Sequence, residues 1–306
     1  MKRPKRKVNN SQYLLFEDMV SSVDTVPPTK KEEKECYLYT SPVRMLDNNN
    51  VGLMTNRIYC GDTVETMGKI NEESIDMILT SPPYLASIRA DNHKYPGAKD
   101  QIKDNQSVDD YLKWIVENFK QYERILKKDG VLVFNFSYTT FNPSLPYFLI
   151  NEVFKNTDFR IYDTFAWKKK SAMPVSGHPN RVTRIVEMVY IFAKTPYFKA
   201  NKTVSSVSRT GQKYYNNYYN FIEARNNDGK VEGHEATFST ELASFFIDLY
   251  SKENDVVLDN FSGTGTTPYA SSKMNRQYIG IDLVEKFCEY ARNRIAKLYK
   301  EDLSEI

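Results

Sequence analysis

Asp255-Val256-Val257-Leu258-Asp259-Asn260-Phe261-Ser262-Gly263-Thr264-Gly265-Thr266-Thr267, followed by Tyr278-Ile279-Gly280-Ile281-Asp282, is the stretch on which the fold turns. It reads as a short apolar strand, a glycine turn, a helix start with Thr266 and Thr267 available to cap it, and a second strand ending in an acid. Glycines let a backbone approach a ligand closely, and free N–H groups at a helix start suit a carboxylate. An acid closing the second strand is placed to bind a ribose diol, as in nucleotide-binding crossovers. The loop lacks the third glycine of the dinucleotide fingerprint, which argues against NAD and for a nucleoside without pyrophosphate. A Gly-x-Gly by itself is equally a plain turn, so the flanking strands and Asp282 carry the weight.

Outward from this unit, strand and helix signals alternate from Arg57 onward. Apolar strands are expected at 57–60, 75–80, 131–136, 159–167, 185–192, 256–259 and 278–282. Helices are expected at 109–126, 241–250, 266–274 and 284–298. In the first of these, Leu112, Ile115, Val116, Phe119, Tyr122, Ile125 and Leu126 form one apolar face. Alternation of this kind implies an α/β fold with a mostly parallel sheet covered on both faces. Residues 85–107 and 200–233 break the rhythm with polar stretches too long for idle loops.

A second stretch carries chemistry: Ile75-Asp76-Met77-Ile78-Leu79-Thr80-Ser81-Pro82-Pro83-Tyr84. An apolar strand runs into a hydroxyl, two prolines and an aromatic, at the strand end where open α/β sheets bind ligands. The prolines fix φ and remove two donors, which leaves their carbonyls free to face a pocket. A hydroxyl and a carbonyl there can accept both hydrogens of an –NH₂ group, and Tyr84 offers a face for stacking. A base amino nitrogen needs such acceptors, because its lone pair is delocalised until its hydrogens are held out of plane. The plain alternative is a rigid Pro-Pro turn. Asp62, in Tyr59-Cys60-Gly61-Asp62, also follows a short strand, and reads either as an acceptor for an adenine amino group or as a turn.

Hydrophobic residues at 41% and aromatics at 13% of 306 residues allow one large core with a smaller appended region. No apolar run approaches the ~20 residues that span a bilayer, and no apolar segment follows the basic start Met1-Lys2-Arg3-Pro4-Lys5-Arg6-Lys7 as a secretory signal requires. Residues 1–55 read as a poorly ordered leader. Its basic start, like the run Lys168-Lys169-Lys170, is either solvated surface or an arm for the phosphate backbone. Cys36, Cys60 and Cys288 lie far apart and form no metal-ligand spacing, so no metal is expected and a reduced intracellular setting is the simplest reading. None follows a proline, which argues against covalent attack on cytosine carbon 5.

Taken together these residues resemble the amino-directed DNA methyltransferases of restriction-modification systems. Ser81 to Tyr84 match that family's Asp/Asn/Ser-Pro-Pro-Tyr/Phe, and Asp259 to Thr267 match its Asp-x-Phe-x-Gly-x-Gly-Thr-Thr. The catalytic segment precedes the cofactor loop, as in the circularly permuted beta class. The resemblance spans about residues 57–297 and includes Trp167-Lys168, Met173-Pro174, residues 187–194 and His234-Glu235-Ala236-Thr237-Phe238-Ser239, where the family usually has a proline near Ser239. It implies a Rossmann-like seven-stranded mixed sheet with one antiparallel strand. The division it implies is a catalytic half at 56–199, a target-recognition region at 200–233 and a cofactor half at 234–306.

S-adenosylmethionine is the implied cofactor, lined by Asp62, Asp259, Phe261, Gly263, Gly265, Thr266, Thr267 and Asp282, with Phe238 and Ser239 closing its methionine end. Ser81 in the variable first position resembles the N4-cytosine members. The alternatives are N6-adenine methylation and a non-catalytic DNA-binding protein of the same fold. Double-stranded DNA is the implied partner, through Arg89, Lys94, Arg209 and Lys213, with Arg181 and Arg184 either on phosphates or paired with acids. The resemblance leaves room for a homodimer, implies a restriction endonuclease linked in function, and places the chain in the cytoplasm of a bacterium or archaeon.

Overall fold

The computed structural model describes residues 49–85, 107–138, 142–171, 179–180, 182–198, 200–229 and 238–304. Its strands are β1 (Arg57–Cys60), β2 (Ile75–Thr80), β3 (Leu126–Asn135), β4 (Arg160–Lys169), β5 (Val186–Ala193), β6 (Val204–Val207), β7 (Lys213–Tyr215), β8 (Phe221–Ala224), β9 (Val256–Asp259) and β10 (Gln277–Asp282). The helices are α1 (Thr63–Met67), α2 (Val108–Ile125), α3 (Leu145–Asn156), α4 (Thr240–Tyr250), α5 (Thr266–Lys273) and α6 (Glu285–Ser304).

The main sheet has the order β1-β10-β9-β2-β3-β5-β4-β8. Only β5 is reversed, pairing antiparallel with β3 and β4. All seven expected strands are present, and β8 adds an eighth beside β4. This strand comes from within 200–233, expected above to be recognition region throughout. It covers what would otherwise be an open edge, and Trp167 Nε1 donates to Ala224 O at 3.2 Å to fix it. Strands β6 and β7 form a separate antiparallel hairpin.

Successive strand residues face opposite sides of the sheet. Leu132 and Phe134 join Met67, Ile115, Phe119 and Leu149 in one core with α1, α2 and α3. Val131 and Val133 join Leu242, Phe246 and Ala270 in the other, with α4 and α5. Phe119 meets Tyr122, Phe134, Phe159 and Phe192 edge-on at 5.1–5.8 Å, which gives this side of the sheet a rigid floor. Each such pair adds about 0.5–1.5 kcal/mol beyond its buried area.

Helix α2 starts where Ser107 Oγ accepts from Asp110 N at 3.1 Å. Tyr111 rather than Leu112 leads its fully buried face. Helix α3 was not foreseen, although β3 and β4 run parallel in one sheet and a parallel pair needs a crossover. Residues 49–55, taken above with the leader, include buried Val51 and Thr55, and Asn56 N donates to Tyr278 O at 2.7 Å. The rest of the leader, 1–48, lies outside the described residues. Among those described, no helix is long and apolar enough to cross a membrane.

Strands β9 and β2 are neighbours, yet β9 continues through α5 to β10 on one side and β2 through α2 to β3 on the other. Their carboxyl ends therefore flank the topological switch point, where such sheets bind ligands.

Candidate active site

The loop after β9 is held by bonds to its own scaffold. Asp259, only 2% exposed, accepts at Oδ1 from Thr80 Oγ1 (2.8 Å) and from Phe261 N (3.1 Å). Burial pushes its carboxyl up to about 6, against the pull of bonds from Thr267, Thr80 and Phe261 N. Asp259 thus braces the loop against β2. Asn260 is buried behind the loop, donating to Thr63 Oγ1 (2.6 Å) and accepting from Tyr122 OH (2.8 Å).

Gly263 and Gly265 have φ of 50° and 78°. A Cβ on Gly265 would meet Ala291 Cβ at 2.6 Å, so only glycine lets α6 pack on the turn. Gly265 is the N-cap of α5, and no side chain caps that helix. Thr266 and Thr267, expected as caps, fall one step inside it and are buried. Thr267 Oγ1 donates to Leu79 O at 3.3 Å, and Thr266 Oγ1 accepts from an Arg294 guanidinium N–H at 3.3 Å. Thr267 accordingly ties α5 to β2.

Asp282 lies at the open side of this loop, its carboxylate fixed by Gly263 N (2.8 Å) and Val284 N (2.9 Å). Burial holds its carboxyl above the usual range, while these N–H bonds draw it down. Gly61 N donates to Asp282 O at 2.9 Å, which sets the exposed Asp62 on the adjacent strand end. Asp62 also caps α1, with Oδ1 accepting from Val64 N and Glu65 N at 2.9 and 3.1 Å. Ser262 Oγ is buried with no partner among the described residues. Two acids on neighbouring strand ends, a close-approach glycine turn and an unsatisfied hydroxyl fit a nucleoside.

Phe238 and Ser239 are buried, and Ser239 Oγ caps α4 by accepting from Leu242 N at 3.3 Å. Sequence reasoning missed Asp228, which accepts from Thr240 N at 2.9 and 3.0 Å at the same helix start. Arg294 pairs with Asp228 at 2.6 Å and lies 4.5 Å over the Tyr269 ring. The base of the 200–233 segment is thereby locked to the cofactor half.

At the end of β2, Ser81 Oγ donates to Tyr84 OH at 3.2 Å. Tyr84 OH in turn donates toward Asn135 Oδ1 (3.1 Å) and Glu187 Oε2 (3.3 Å). Glu187 is paired with Lys169 Nζ. Burial first, then the Glu187 carboxylate, push the Tyr84 phenol well above its usual range. The Tyr84 ring stands edge-on to Phe136 at 5.1 Å, so it is pinned at both ends and not simply a free stacking face. Of the two proline carbonyls expected to be free, Pro83 O already accepts from Tyr111 OH at 2.5 Å. Pro82 O accepts nothing among the described residues. Asn135, Glu187 and Lys169 were not anticipated as partners of the Ser81 turn.

The basic residues expected at the DNA fall into separate groups. Arg89, Lys94 and Arg181 lie outside the described residues. Arg184 lies 4.3 Å over the Tyr138 ring and donates to Tyr138 O at 3.4 Å. Arg209 and Lys213 are exposed on the β6–β7 hairpin, beside the exposed Tyr214, Tyr215 and Tyr219. The run Lys168-Lys169-Lys170 is neutralised, each lysine facing an acid: Glu223, Glu187 and Glu241. Neither described cysteine is poised as a nucleophile, since desolvation and Glu285 push Cys60 up to about 11 and burial takes Cys288 higher.

The Type II methyltransferase M.HinfI of Haemophilus influenzae is 26% identical over 259 residues, covering 81% of this chain and 70% of that protein. Among solved structures, the PvuII DNA methyltransferase, described as cytosine-N4-specific, superposes with a TM-score of 0.60 at 23% identity, over 81% of this chain and 92% of that one. The M1.HpyAVI–SAM complex superposes at 0.51 with 22% identity, over 78% and 98%. The N6/N4 family of DNA methylases matches residues 75–293 and so takes in both strand ends described above. The chain belongs to that family, as a DNA methylase.

Proposed function

We propose that the chain transfers a methyl group from S-adenosylmethionine to the N4 amino group of a cytosine flipped out of duplex DNA, protecting a site from a companion restriction endonuclease. The observation that carries the reading is the juxtaposition at the switch point. Thr80, next to Ser81, bonds Asp259 of the cofactor loop at 2.8 Å, so the amino-binding turn and the nucleoside-binding turn are set at a fixed distance.

S-adenosylmethionine, when bound, would supply a methyl group on a sulfonium, the sulfur keeping the electron pair of the broken S–CH₃ bond and leaving as a neutral thioether. Asp282, already oriented by two N–H groups, takes the ribose diol, and Asp62 accepts from the adenine amino group. Ser81 Oγ and Pro82 O accept the hydrogens of the base amino group and hold them out of plane. As the nitrogen forms its new bond to carbon it sheds one proton. That proton passes to Ser81 Oγ while the serine proton moves to Tyr84 and the tyrosine proton to the Glu187 carboxylate, along contacts of 3.2 and 3.3 Å. Serine in the variable first position of the tetrapeptide supports cytosine over adenine. Flipping costs a few kcal/mol, against which stacking in the pocket returns about 1–3 kcal/mol. Exposed Arg209, Lys213, Tyr214, Tyr215 and Tyr219 suit phosphate and base contacts, and Arg89, Lys94 and Arg181 are proposed to join them.

The two half-sites are tested by a split of effects. Ser81→Ala is expected to slow transfer about 10²-fold with cofactor affinity unchanged by calorimetry, and Asp282→Ala to weaken cofactor binding first. Equal loss of both properties in both variants would contradict the division of labour.

A further inference from the structure

Cys60 and Cys288 stand far apart in sequence, yet the fold sets them side by side. Cys60 ends β1, Cys288 lies in the first turn of α6, and their sulfurs and a Glu285 carboxylate oxygen all lie within 4.8 Å of one another. We propose that Cys60, Glu285 and Cys288 bind one soft divalent cation of the zinc class, with a fourth position open to solvent. The sequence reading, which looked for close spacing along the chain, found no such set because the ligands are brought together by the pairing of β1 with β10 and the packing of α6.

The donor set suits this ion, for which two thiolates and one carboxylate leave an exchangeable position. Tetrahedral zinc with Zn–S of about 2.3 Å and Zn–O of about 2.1 Å separates its ligand atoms by about 3.6–3.8 Å. The cluster therefore needs a contraction of about 1 Å or less, within the reach of side-chain rotation. Its walls are rigid: Cys60 is the register partner of Asp282, and Cys288 N donates to Val284 O at 3.1 Å. Cys288 is fully buried, whereas Cys60 and Glu285 are exposed and offer an entry path.

Binding displaces the two thiol protons and the hydrogen bonds that tie Cys60 to Glu285 and Cys288. The other sulfur contacts are long, Cys60 to Leu283 O at 3.5 Å and Cys288 to Asp282 O and Tyr59 O at 3.6 and 3.7 Å. Two thiolates, one carboxylate and a dication leave one net negative charge. Arg292, 2.6 Å from Glu285 Oε1, and the start of α6 offset it. Arg292 also donates to Ile58 O at 3.0 and 3.3 Å, so it holds the carboxylate in orientation, as partners behind metal ligands do. The two segments joined carry Asp62 and Asp282, so the ion clamps the side of the proposed nucleoside site that these two acids form. No step of the transfer passes through it.

The test uses the full chain with Cys36→Ser, kept reduced with a phosphine and titrated with Cd²⁺ while the thiolate-to-cadmium charge-transfer band is followed. The expected result is saturation at one equivalent per chain, at least tenfold weaker binding in Glu285→Gln, and loss of the band in Cys60→Ser. Cys60 is exposed, so that variant retains its fold, checked by its melting curve, even where Cys288→Ser does not. No saturable band, an undiminished band in Cys60→Ser, or saturation at half an equivalent with dimer formation would each overturn the proposal. A failure here leaves methyl transfer untouched, and a failure of methyl transfer leaves the cadmium titration unchanged.

Discussion

The cofactor loop and the β6–β7 hairpin are opposite answers to the same need, a surface that meets a ligand. In the loop Asp259, Asn260, Thr266 and Thr267 are buried and spent on holding the backbone, and the proposal gives the ligand to Asp282, Asp62 and backbone N–H groups. In the hairpin every residue of both strands is exposed, Lys213 included, as is Arg209 in the turn between them. A site that binds one invariant molecule is fixed by internal bonds. The hairpin, proposed above to read DNA, is hung from a fixed root at Asp228 and left exposed along both strands.

The root is where this comparison is most easily broken. Asp228→Ala leaves Arg294, 9% exposed at its side chain, as an uncompensated charge. The expected loss is about 3–5 kcal/mol, read as a lower melting temperature. A melting temperature within a degree of the parent would show that the segment is not locked to the cofactor half. Next in size is Glu187→Gln, expected to reduce methyl transfer about 10²-fold and alter the pH–rate profile with cofactor affinity kept. An unchanged rate would remove Glu187 from the proton path and leave it a partner of Lys169 alone.

Asp259 sharpens the contrast through pH. Its folded pKa, about 6, lies above the unfolded 3.8. The folded state therefore binds the extra proton, and the associated stability is present below pH ~4 and lost as pH rises through ~6. Asp259→Asn keeps an acceptor for Thr80 and Phe261 N without the buried charge. Relative to the parent it is expected to gain about 2–3 kcal/mol between pH 4 and pH 7. Denaturant midpoints that differ equally at both pH values would contradict this. The smallest effect on folding belongs to the hairpin. Arg209→Ala with Lys213→Ala is expected to shift stability by less than about 0.5 kcal/mol. The same change lowers the salt slope of DNA binding by about 0.9 for each phosphate that the protein no longer neutralises.

Most of the sheet was legible because buried parallel strands write continuous apolar runs, as at 75–80 and 256–259, and glycine turns mark their ends. Helix α3 was not expected, although Pro146 stands in its first turn, where its missing N–H costs nothing. Strands β6 and β7 carry no buried face, so periodicity has nothing to report. The motif positions were legible but their inward or outward direction was not. Asp259 and Asp282 both end apolar strands, yet one is sealed against Thr80 and the other opens to the pocket. Glu187 and Asn135 left a faint signal, as polar residues inside apolar strands, which pairing to Tyr84 explains.

The most direct measurement is nucleoside mass spectrometry of unmethylated DNA of varied sequence after incubation with the protein and S-adenosylmethionine. The expected product is N4-methylcytosine, formed by the parent and sharply reduced with Ser81→Ala. N6-methyladenine in its place would contradict the base assignment, and no methylated nucleoside, with cofactor binding intact, would contradict the proposed transfer itself.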